Sequence, residues 1–162
     1  MLAVHLLVAL VARAQDVTAP ALKTAFIYNF VKFTEWPDAL PGSDPFVICV
    51  IGDASVAEAL SRLVVGRDVA GHRMLALLVS RPTRACAVLY VSGTTAKMAA
   101  QAIAGLQDSP VLTISDVAGF ADTGGMAQFF FERGQLRFTI KAETVRRSRL
   151  KMSSRLLTLG QR

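Results

Sequence analysis

The chain has 162 residues, 52% of them apolar and 19% charged, with a formal net charge of +6. That length suits a single domain with its own core. Its apolar runs fall far short of the roughly 20 residues needed to cross a bilayer as a helix, so strands and amphipathic helices are expected instead.

Leu2 to Val11 forms an apolar stretch of the size of a secretory h-region, and Ala12-Arg13-Ala14 follows as a small-residue cleavage site. Residues 1–14 are therefore read as a signal peptide and 15–162 as the mature domain. No positive n-region precedes the stretch, which points to a translation start further upstream. The alternative reading is a buried N-terminal helix.

From Pro20 to Trp36, Leu22, Phe26, Phe30 and Phe33 recur every three or four positions, with Ala25, Ile27 and Val31 widening the stripe. This is an amphipathic helix, capped by Thr18 and ended by Trp36-Pro37. Its other face presents Lys23, Tyr28, Asn29 and Lys32. Tyr28, Asn29 and Trp36 make a candidate ligand or partner surface, against the plainer reading of a solvated face.

Asp38 to Pro45 is a turn-rich connection, and Phe46 to Ile51 is a continuous apolar run that reads as a strand buried on both faces. Gly52-Asp53 then opens a helix from about Ser55 to Val64. A phosphate-cradling loop is a poor fit there, because one Gly-Asp lacks a glycine fingerprint and Asp53 would repel an anion. Met74 to Ser80 and Ala87 to Val91 read as strands, Ala96 to Leu106 as a helix and Val111 to Ile114 as a short buried strand, with Asp116 as the cap of a helical segment after it. Met126 to Phe131 and Leu136 to Ile140 should form an antiparallel hairpin about Arg133-Gly134. Glu143 to Arg149 and Met152 to Leu159 read as short helices, with Ser153-Ser154 able to cap the second. The fold class is α/β: a single domain with a mixed sheet of about six strands flanked by helices.

Charge is uneven. Arg133 to Arg162 holds nine Lys or Arg against Glu143 alone, giving +8, whereas Gln15 to Glu132 holds eight basic and eleven acidic residues, giving −3. A basic end attracts an acidic partner or anionic lipid, or else is simply a solvated helix face; nucleic acid is not a partner expected outside the cytoplasm. Exposure and charge nominate Arg137, Arg146, Arg149 and Lys151 as partner contacts, together with Phe129 or Phe131 if either faces outward.

Catalytic equipment is sparse. His72 is the one histidine of the mature chain, the acids are scattered singly, and no serine sits in a glycine-flanked elbow, so neither a metal site nor a hydrolytic triad is supported and no cofactor is expected. A hydrolase would have to place His72 beside a nucleophile. Cys49 and Cys86 form an even pair, which in an exported protein implies a disulfide; two inert buried thiols are the alternative.

The pieces KTAFIYNFVKFTEWP, FVICVIG, GRDVAGH, CAVLYVS, LTISD, GGM, RFTI and LKMSSRLLTL, in this order from about Leu22 to Leu159, resemble the YfiR family of periplasmic signalling proteins. That resemblance implies a periplasmic repressor acting on the periplasmic sensor part of a membrane-bound diguanylate cyclase, itself controlled by an outer-membrane lipoprotein, so that loss of repression raises cyclic di-GMP and favours biofilm. It supports the Cys49–Cys86 pairing, since the family carries cysteines in the corresponding strands. A homodimer is expected. Lys141 departs from the family pattern, where asparagine usually follows the phenylalanine-rich strand. The rival reading is a periplasmic small-molecule binder with an aromatic pocket at Tyr28 and Trp36.

Overall fold

The computed structural model describes residues 19–37 and 45–160. The expected signal peptide, the Thr18 cap and most of the Asp38 to Pro45 connection lie outside the described residues.

The elements run α1 (Ala19–Lys32), β1 (Thr34–Glu35), β2 (Phe46–Ile51), α2 (Ala54–Val64), β3 (Asp68–Val69), β4 (His72–Leu78), β5 (Cys86–Val91), α3 (Ala96–Ala104), β6 (Leu112–Ser115), a 3-10 turn (Phe120–Thr123), β7 (Ala127–Glu132), β8 (Gln135–Ile140), α4 (Ala142–Arg147), β9 (Lys151–Met152) and α5 (Ser154–Leu159). The main sheet has seven strands in the order β3-β4-β2-β5-β6-β7-β8. Its five central strands are parallel, and β3 and β8 are antiparallel additions at the two ends. The mixed α/β architecture expected from the sequence is therefore present, with a separate two-stranded sheet of β1 and β9 added to it.

Alternation within β2 shows how the layers form. Phe46, Ile48 and Val50 pack with Ile27, Phe30 and Val31 of α1 and Val56 and Leu60 of α2. Val47 and Cys49 face the other way, toward Ala99 and Ile103 of α3 and toward Phe120. A parallel strand covered on both sides needs apolar residues at every position, as the run FVICVI supplies. The first layer is rich in rings: Phe26 and Phe30 of α1 meet Phe129 and Phe138 of the hairpin edge to face at 5.1–6.0 Å between centroids. Arg133 and Gly134 turn that hairpin, both at positive φ (50° and 74°), the combination that a two-residue turn between right-twisted strands requires.

Four local expectations change. The first helix stops at Lys32 rather than Trp36, because Thr34 and Glu35 pair with Met152 and Lys151 while the Phe33 carbonyl accepts the Ser153 N–H at 2.9 Å; Phe33 and Ala25 are exposed rather than part of the buried stripe. Met152 is consequently a strand residue, and the last helix begins at Ser154 with Ser153 Oγ accepting the Leu156 N–H. The helix expected to reach Arg149 ends at Arg147, and Arg149 turns the chain at φ 61°. Asp116 caps no helix: the 3-10 turn begins after Gly119, and Asp116 is engaged by Lys23.

Candidate functional site

Ligands of open parallel sheets usually sit beyond the carboxyl ends of the strands, where the chain changes direction across the sheet. Here that crevice, between β2 and β5, is filled by backbone. Gly52 and Gly93 both take positive φ (82° and 61°), and a Cβ on Gly52 would lie 2.0 Å from the Ser92 carbonyl oxygen. Asp53 is occupied as the cap of α2, accepting the Val56 N–H at 3.0 Å. The carboxyl end instead holds a compact polar cluster, in which Lys23 Nζ and Ser92 Oγ both donate to Asp116 Oδ2, at 2.6 and 3.0 Å. The buried Tyr90 hydroxyl lies close enough to feel Asp116 but makes no hydrogen bond of ordinary geometry. Burial first, and the Asp116 charge second, push its pKa well above the usual phenol value.

The opposite end of the sheet is open. A cleft of about 490 Å³ lies at the amino ends of β2, β5 and β6, with Trp36, Arg84, Cys86, Asp108 and Arg149 among its walls. The β1–β9 sheet builds this place, since it sets Glu35 opposite Lys151 and so brings the segments carrying Trp36 and Arg149 together. Trp36 stands edge-on to Phe46 at 4.8 Å and donates its indole N–H to the Ala87 carbonyl at 3.2 Å. Its one donor is used, leaving the ring as what the indole can offer a ligand. Arg84 and Arg149 outweigh Asp108, so the cleft favours an anionic group. Asp108 and Arg149 both hold positive φ (63° and 61°), a conformation that non-glycine residues adopt at a cost of about 1–3 kcal/mol and that tends to accompany functional surfaces.

Cys49 and Cys86 are joined in a disulfide, with Cα atoms 5.7 Å apart across the adjacent strands β2 and β5. The bond crosses the seam where the register shifts between Val47 and Ile48, and Cys86 also forms part of the cleft wall.

The remaining candidates divide. Tyr28 is held beneath Arg67, whose guanidinium lies 5.1 Å from its ring centre and donates to its hydroxyl at 3.2 Å, while Asn29 is exposed on α1. Arg149 lines the cleft and Lys151 stands exposed on β9. Arg146 pairs with Glu143 on α4, and Arg137 sits on the exposed hairpin with Gln135 and Glu132. Phe131 is exposed and Phe129 is fully buried. Arg84 and the Lys23–Asp116–Ser92 cluster carry no sequence pattern that singles them out; an acidic residue directly after the buried strand Leu112–Ser115 is the one signal that could be read as a strand-end partner rather than a helix cap. Among the described residues no three His, Cys, Asp or Glu converge as a metal site. His72 begins β4 opposite Val69.

The described residues form a mixed α/β fold whose open end carries a cleft walled by the disulfide cysteine Cys86 and by Arg84 and Arg149. The chain matches the model of the YfiR/HmsC-like family over residues 20–161, and it belongs to that family. No curated protein matches it.

Proposed function

We propose that the mature protein, residues 15–162 after removal of 1–14, works in the periplasm as a non-catalytic regulator that binds the periplasmic sensor part of an inner-membrane diguanylate cyclase and represses it. The observation that carries this reading is the family match over nearly the whole mature domain. No helix among the described residues is long and apolar enough to cross a membrane. In this reading control of the cytoplasmic reaction acts through the partner. Repression then requires tighter binding to the inactive cyclase than to the active one, since equal affinity shifts nothing. Arg149 and Lys151, brought to the cleft end of the sheet, are the contacts we place first, with Arg137 and Arg146 outside them. An outer-membrane lipoprotein that sequesters the regulator would relieve the repression.

Deleting the gene should raise cytoplasmic cyclic di-GMP only while the partner cyclase is present. Arg149→Glu with Lys151→Glu should reproduce part of that rise with unchanged circular dichroism. Unchanged cyclic di-GMP after deletion, with both proteins produced, refutes the reading.

The cleft favours a second reading, a small anionic and partly aromatic ligand held at Trp36, Arg84 and Arg149. Trp36 is the only tryptophan in the chain, so its fluorescence reports the cleft directly. Native mass spectrometry of the exported protein tests this reading: a bound small molecule that Arg149→Ala releases supports it.

A further inference from the structure

A second, smaller pocket adjoins the cleft. It has a volume of about 200 Å³ and lies beside Thr113 of β6, with residues from the carboxyl ends of α3 and α4 in its walls. Asp108 lines both hollows and so marks their boundary. Thr113 shares a face of β6 with Val111, which packs in the α3 layer, because alternate residues of a strand point the same way.

Two hydroxyls in this wall are withdrawn from bulk water and keep an unspent hydrogen. Thr113 is 3% exposed, and its Oγ1 accepts the Met126 N–H at 3.1 Å, which leaves its own O–H free to donate. Ser148 is 2% exposed at the C-cap of α4, where its N–H donates back to the Thr144 and Val145 carbonyls. Its Oγ has no hydrogen-bond partner among the described residues. Buried hydroxyls are normally satisfied, so an unpartnered one in a pocket wall marks a place for a polar group from outside.

The remaining walls define what that group belongs to. Arg147 and Asp108 bring one charge of each sign, unlike the cleft, where two arginines outweigh the same aspartate. The carboxyl ends of two helices carry partial negative charge, which weighs further against an anion. Gln107 adds a carboxamide that both donates and accepts, and Ile103, Leu106 and Met126 supply apolar surface. Mixed donors and acceptors beside apolar surface suit a molecule with hydroxyls around its edge and C–H groups on its face. The volume is below the roughly 300 Å³ at which drug-sized sites begin, which leaves room for one sugar ring and not two.

We propose that this pocket binds a neutral monosaccharide. Thr113 and Ser148 donate to its hydroxyl oxygens, Asp108 accepts from its hydroxyls, Arg147 closes the rim, and the apolar side chains pack against its C–H face. The proposal uses neither Arg84 nor Arg149 and is independent of the cyclase reading.

Saturation-transfer NMR on the exported protein, with D-glucose, D-galactose and N-acetyl-D-glucosamine each at millimolar concentration, should show transfer to at least one of them. The anionic D-glucuronate and the cationic D-glucosamine should show less. Ser148→Ala with Arg147→Ala should weaken the binding by about tenfold with unchanged circular dichroism, two hydrogen-bonding groups being lost. Arg147→Ala alone, at an exposed position, should already weaken it. Arg84→Ala, which alters only the cleft, should leave it unchanged. Absence of transfer to all three neutral sugars overturns the proposal. So does stronger transfer to a charged sugar, binding that survives the double variant, or binding that disappears with Arg84→Ala.

Discussion

Lys23 Nζ lies 2.6 Å from Asp116 Oδ2, tying the first half of α1 to the carboxyl end of β6 across 93 residues of sequence. Both side chains are largely withdrawn from solvent, at 14 and 20% exposure, and Ser92 donates to the same oxygen. Removing one partner leaves the other charge in a poorly solvated place. Asp116→Ala should therefore lower the unfolding free energy by about 3 kcal/mol in urea denaturation. Lys23→Met with Asp116→Leu should recover most of that loss, because an apolar pair leaves no stranded charge. A loss below about 1 kcal/mol for the single variant would contradict the assignment, since that is the range of an exposed pair.

Tyr90 gives a pH dependence with a definite sign. Its pKa is raised in the folded state, by burial first and by Asp116 second. Above about pH 10 the unfolded chain ionises this tyrosine while the folded one holds its proton, so the folded state binds more protons and stability falls as pH rises. Tyr90→Phe should flatten that alkaline decline. It should also raise stability near neutral pH by about 1 kcal/mol, because the buried hydroxyl makes no hydrogen bond of ordinary geometry. Thermal unfolding from pH 7 to 11, followed beside the tyrosinate absorbance, measures both effects.

The Cys49–Cys86 bond closes a sequence separation of 37 residues. Chain entropy assigns it about 4 kcal/mol, so the reduced protein should unfold at a markedly lower denaturant concentration than the oxidised one. Alkylation of the denatured, unreduced protein should add no mass. Uptake of two alkyl groups would show that the native protein carries free thiols.

Lys141 occupies the N-cap of α4 without a side-chain hydrogen bond to the helix, and its ammonium reaches out instead to Asp122 at 3.0 Å. That pair is exposed and contributes a few tenths of a kcal/mol. Asparagine would accept an orphan N–H and remove a positive charge from the positive end of the helix. Lys141→Asn should stabilise the domain by about 0.5–1 kcal/mol, the cap outweighing the lost ion pair. A lower unfolding midpoint would mean that Asp122 matters more than the cap.

What the sequence made legible was whatever repeats over several residues. The run FVICVI reads as a doubly buried strand and AVLYV as a strand, and Arg133-Gly134 between two apolar runs reads as a turn. Thr34–Glu35 and Lys151–Met152 are too short for any period to show, and their pairing decides where α1 ends and how Trp36 comes near Arg149. Lys23 falls on the polar side of the α1 stripe, yet it is held by an acid 93 positions away that no local pattern could connect to it. Asp116 follows a buried strand and looks like a cap because sequence shows its neighbours along the chain and not those across the sheet. The basic tail was legible as charge. Its division into Arg149 and Lys151 at the cleft end, Arg146 on α4 and Arg137 on the hairpin depends on turns such as the left-handed one at Arg149.

The seams of the sheet are unequal. The β2–β5 seam is pinned at one end by the Cys49–Cys86 bond and closed at the other by the contact of Gly52 with Gly93. The β6–β7 seam has two residue pairs, Ile114 with Ala127 and Ser115 with Gln128, extended by the Met126 N–H to Thr113 Oγ1 bond. A pull on the hairpin of β7 and β8 is therefore resisted by a short ladder and by the rings of Phe26 and Phe30, and under load the domain gives way there while the cross-linked half keeps its shape.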